Sequence, residues 1–122
     1  MKTMKVTFIS SSTKKISIIC EIAHTMYEKE QGLMGRKKLD ESKGMLFIFS
    51  FPFLRCFWMK GIEIPLDIIF IRKKKITKIF HAYPDTIHWV PKLYCGIATQ
   101  VIECKQGFCQ MNKIKKGTMV DF

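Results

Sequence analysis

The chain has 122 residues, 48% of them hydrophobic, and a formal net charge of +11. That length and apolar content describe one domain spanning residues 1–122, with a core that needs no disulfide support, and they exclude a disordered chain. Charges interrupt every apolar stretch, so no membrane span is expected, and Ser10 to Lys15 breaks any signal-peptide core. The expected location is cytoplasmic.

Val6–Ile9 and Ile16–Ile22 are rich in β-formers and flank a Ser/Thr/Lys turn, which predicts an opening hairpin. Thr25 and Glu28 have capping-box spacing and predict a helix over about 26–34, with Met26, Tyr27, Leu33 and Met34 as its apolar face and Gly35 as its cap. Gly44–Phe49 reads as a buried strand ended by Pro52, followed by strands over Arg55–Lys60 and Ile64–Ile71. Arg72–Lys75 is a tight basic turn into Ile76–Phe80. Tyr83–Tyr94 is irregular, Ala98–Cys104 is strand-like, Gly107 opens a helical turn over about 108–112, and Thr118–Phe122 is a last strand. Many short strands and one clear helix predict a mainly β fold, α+β at the margin, built as a compact antiparallel sandwich or barrel.

The net charge suggests nucleic acid, but its composition argues for weak binding at most. Only Arg36, Arg55 and Arg72 are arginines, and the lysines fall in turn-like clusters. The five cysteines, an odd number without Cys-x-x-Cys spacing, are expected to be reduced. His81 and His88 upstream of Cys104 and Cys109 allow a zinc site to be drawn, but the spacing is poor and no metal or cofactor is expected.

Asp67 is the sharpest local anomaly, an acid inside an apolar strand. It is expected to be buried at the inner end of that strand, paired with a cation or backbone donors. Arg36, just past the helix, is the first choice of cation, and Lys60 the second. Trp58 and Lys60 share a strand face and could hold a planar charged ligand, or form a rim Trp covered by a Lys stem. Glu103 lies between Ile102 and Cys104 and reads as solvent-facing.

Gln31-Gly32-Leu33-Met34-Gly35-Arg36, Gly44-Met45-Leu46-Phe47, Phe57-Trp58-Met59-Lys60 and Ile64-Pro65-Leu66-Asp67-Ile68-Ile69-Phe70 follow one another at close spacing. This succession resembles the DUF192 family of uncharacterised domains, and the similarity continues through Val101-Ile102-Glu103, Gly107 and Gly117. The resemblance implies a jelly-roll-like β sandwich or barrel and no settled activity. It raises Asp67, Arg36, Trp58, Lys60 and Glu103 together as a candidate ligand-binding cluster. The chain departs from the family pattern at Gly61-Ile62, where Asn-Thr is common, at Lys29, where the family has Arg, and at Arg72–Lys75, which replaces an Asp-Gly type turn.

No nucleophile–base pair, metal spacing or phosphate loop is present in the sequence. The leading expectation is therefore a noncatalytic module that binds an unknown small molecule or protein. The alternatives are an enzyme with a polar cluster around Asp67 and Arg36, and a basic protein weakly associated with nucleic acid.

Overall fold

The computed structural model describes residues 1–85 and 91–122. β1 (Thr3–Ile9) and β2 (Lys15–Ala23) form the expected hairpin, with Thr3 opposite Glu21 and Ile9 opposite Lys15. α1 (Met26–Gln31) begins at the predicted capping box: the Thr25 hydroxyl accepts from the Glu28 N–H, and the Glu28 carboxylate accepts from the Thr25 and His24 N–H groups. These hydrogen bonds hold the Glu28 carboxyl below its ordinary range.

The helix is shorter than expected. It stops at Gly32, whose φ of +48° is a conformation that L side chains rarely adopt. Consequently Met26 and Tyr27 are exposed and only Leu33 is buried from the predicted apolar face.

β3 (Lys43–Phe57) is a single long strand where two were predicted. Pro52 does not end it, because the proline falls inside the register shift between Ile48 and Phe53. There the β3 ladder is interrupted, so the missing proline N–H costs no ladder bond. β4 (Leu66–Arg72) and β5 (Lys75–Ala82) are joined through Lys73 and Lys74, both at positive φ as a tight hairpin turn requires. β6 (Tyr94–Lys105), α2 (Phe108–Met111) and β7 (Met119–Asp121) complete the chain.

The strands close into a barrel in the order β1, β2, β3, β6, β4, β5, β7 and back to β1. The predicted β-rich barrel is therefore the fold, with one correction: β2 and β3 pair in parallel, Ile19 opposite Lys43 and Ala23 opposite Phe47. Parallel neighbours need a crossover connection, and residues 24–42, which carry α1, supply it.

Alternation along the strands builds two cores. Val6, Phe8, Ile18, Leu46, Ile69, Ile71, Ile102 and Val120 fill the barrel, closed at one end by Phe108 and Cys109 of α2. Their strand neighbours Met45, Phe47, Leu66, Ile68, Phe70 and Val101 face outward, into a second core completed by Leu33, Met59, Ile62 and Tyr94. Because both of its faces are covered, β4 is buried from Leu66 to Ile71.

Candidate functional site

The five residues singled out in the sequence do not form one cluster. Asp67 shares the parity of Ile69 and Ile71, so its side chain enters the barrel. It is fully buried, as expected, and accepts from the Cys109 N–H at 3.0 Å and from His81 Nδ1 at 2.7 Å. The expected cations are elsewhere. Arg36 makes a two-pronged ion pair with Glu21 on β2, with Nη2 to Oε1 at 3.0 Å, and this pair raises the Arg36 pKa and lowers that of Glu21. Lys60 packs over the Trp58 ring, 5.5 Å from its centroid.

Glu103 departs most from the sequence reading. It lies opposite Met45 on β3 and Ile68 on β4, in the second core, and is only 2% exposed. Burial pushes its carboxyl up to about 8, with no other cause contributing. Among the described residues it receives no hydrogen bond and forms no ion pair. Its Oε1 looks toward the space left by the missing side chain of Gly32, where a Cβ would lie 3.7 Å from that oxygen and 3.6 Å from Phe47 Cζ.

That space opens into a cleft of about 1060 Å³ with Glu103 in its lining. Phe47, Phe49, Phe57 and Trp58 supply aromatic surface, and Lys29, Arg55 and Lys60 supply positive charge. Phe57 stands edge-on to Phe47 and Phe49, at 5.0 and 6.3 Å between ring centroids, which fixes the wall. The crossover between β2 and β3 forms one side, and the Gly35 N–H ties it to the Gly61 carbonyl at 3.1 Å. The structure thus gathers Trp58, Lys60 and Glu103 in one cleft and leaves Asp67 and Arg36 outside it.

Sequence reasoning missed Lys29, Phe49 and Arg55 as cleft residues. The capping box places Lys29 in the first turns of α1, but no local signal places that helix over β3. Sequence reasoning also missed a disulfide. Cys56 and Cys95 are directly opposite in the β3–β6 ladder and are joined, correcting the expectation of five free thiols. Their pairing depends on the register set beyond the Pro52 bulge, which cysteine spacing does not reveal. Cys20, Cys104 and Cys109 remain free and buried; burial pushes Cys20 up to about 12, and the hydrogen bond with Cys109, followed by burial, raises Cys104. Among the described residues, no three His, Cys, Asp or Glu side chains are arranged to hold a metal, and His88 lies outside those residues. No helix among them is long and apolar enough to cross a membrane.

The pattern of the DUF192 family, described as "Uncharacterized ACR", matches residues 7–122. With the motif succession and the closed barrel, this makes the chain a member of the DUF192 family. A crystal structure from Sinorhizobium meliloti 1021, described as a proposed transcription regulator, is similar at 26% identity and a TM-score of 0.90. The alignment covers 98% of this chain and 93% of that one. A protein of unknown function from Novosphingobium aromaticivorans DSM 12444 is similar at 30% identity and a TM-score of 0.86, covering 98% of this chain and 85% of that one. No curated protein matches the chain.

Proposed function

We propose that this protein is a noncatalytic domain that binds a small molecule in the Glu103 cleft. One observation carries the reading: a carboxyl only 2% exposed, without a protein partner among the described residues, lines an open cleft. A ligand that hydrogen-bonds Glu103 supplies the partner that the described residues do not. The aromatic wall supplies the apolar contact area such pockets use, and Trp58 with Lys60 forms its rim. Asp67 and Arg36 take structural roles in this reading, each with its own partner. In a reducing cytoplasm, Cys56 and Cys95 would stand as two thiols held face to face by the ladder.

A thermal-shift screen against a metabolite library tests the proposal. A hit should raise the melting temperature of the native chain and fail to do so in Trp58→Ala or Glu103→Leu. Hits that stabilise all three proteins equally would place binding elsewhere and defeat the reading.

The net charge favours a second, weaker activity: salt-sensitive association with nucleic acid through the lysine clusters. Affinity should fall steeply as salt rises and show no base preference. Sequence-preferring binding that survives high salt would instead favour the regulator description attached to the Sinorhizobium protein.

A further inference from the structure

The lining of the cleft carries three cations, Lys29, Arg55 and Lys60, beside Glu30 and Glu103. Lys29 Nζ and Arg55 Cζ both pack on the ring of Phe49, at 4.3 and 4.2 Å from its centroid, so two cations share one side chain. Burial, and after it repulsion from Arg55, holds the Lys29 ammonium below its ordinary range. Among the described residues, neither they nor Lys60 form an ion pair with an acid, although Glu30 also lines the cleft. Arg55 spends one guanidinium nitrogen, Nη2, on the Phe51 carbonyl at 2.6 Å, while its buried Nε–H has no acceptor. Like charges on one ring, with a donor left over, suit an anion that none of the described residues provides.

Building on the binding reading above, we infer that the cleft takes a small organic anion with a flat apolar body. Its acid group sits between Lys29 and Arg55, its body lies against Phe57 and Trp58, and a polar atom on that body meets Glu103. A cationic amine caged by the aromatic rings is disfavoured, because Phe49 is already occupied by two cations and three positive side chains line the cleft.

Fluorescence titration of the full chain with two probes tests this. Anilinonaphthalene sulfonate is a flat aromatic anion, and Nile red is flat but uncharged. The sulfonate should bind saturably at one site, and Lys29→Gln with Arg55→Gln should weaken it about tenfold or more, the effect of losing a charge-assisted hydrogen bond. Nile red binding should change little in that variant, and Trp58→Ala should weaken both probes. Arg55→Lys, which keeps the charge, should retain most of the sulfonate affinity. Unchanged sulfonate affinity in the double Gln variant would overturn the anion assignment while leaving the cleft as a binding site. Failure of both probes to bind the native chain would overturn the cleft reading and this inference together.

Discussion

Asp67 and Glu103 are buried carboxyls on adjacent strands, one residue out of step in the β4–β6 register, and the sheet sends them to opposite faces. Asp67 enters the barrel and is met by an imidazole and a backbone N–H. Glu103 enters the second core and is met by neither cation nor donor among the described residues. Burial is therefore a poor guide to function in this protein, and partnership is a better one. A carboxylate whose lone pairs are filled by the fold holds the fold together, whereas one left empty beside a cleft is available to something else.

The largest expected effect is the pH dependence that Glu103 gives to stability. The unfolded chain loses the Glu103 proton near the ordinary value of 4.5, while the folded protein keeps it until about 8. Between those values the native state holds the extra proton, so this carboxyl makes stability fall as pH rises, by up to about 1.4 kcal/mol per pH unit. The fall levels off above about pH 8, where both states are ionised. Glu103→Gln should abolish this component and be the more stable protein at alkaline pH. Urea melts of both proteins across that window measure it, and parallel pH profiles would show that Glu103 is hydrated or paired after all.

The second effect belongs to the far end of the β3–β6 ladder, beyond the Pro52 bulge. Joining Cys56 to Cys95 closes a loop of 39 residues, so the oxidised protein should exceed the Cys56→Ser, Cys95→Ser variant by about 2–4 kcal/mol. Denaturation with and without reductant checks this. An intact mass corresponding to five thiols in oxidised buffer would remove the bridge from the account.

Asp67→Asn should cost about 1–3 kcal/mol, the range for disturbing a buried charged hydrogen bond, and leave cleft binding intact. Equilibrium unfolding beside a probe titration separates the two. Loss of binding without loss of stability would exchange the roles assigned to the two carboxyls. The smallest effect is expected at the half-exposed Arg36–Glu21 pair, where a double-mutant cycle should return less than about 1 kcal/mol, diminished further by salt.

Much of the barrel was legible because its signals are local. The Lys73-Lys74 turn, the Thr25–Glu28 box and the alternating strands each announce themselves within a few residues. The site was harder to read. Alternation separates Glu103 from Ile102 but does not say that the face bearing Glu103 is also covered, because the second core is closed by distant Leu33, Met59 and Ile62. The place of Arg36 just after a helix suggests a partnership with Asp67, yet the strand order places β3 and β6 between β2 and β4. Pro52 reads locally as a terminator, because the bulge that accommodates it is visible only in the pairing with β6. Each miss concerns which pieces of chain become neighbours, and pairwise register carries that information.

The parallel pairing of β2 with β3 has one more consequence. A two-residue hairpin would fix both the length and the path of the connection, but a crossover fixes only where it starts and finishes. Residues 24–42 can therefore vary between their anchors, Leu33 in the second core, the Arg36–Glu21 pair and the Gly35–Gly61 hydrogen bond, while the ladder of the barrel is kept. This stretch supplies Lys29 and Gly32 to the cleft, whereas Phe49, Arg55, Phe57 and Glu103 come from β3 and β6, so one wall of the pocket can change while the other stays with the barrel. Grafting this one segment between barrels of the same fold should alter the Lys29 side of the cleft and leave the Arg55, Trp58 and Glu103 side as it was.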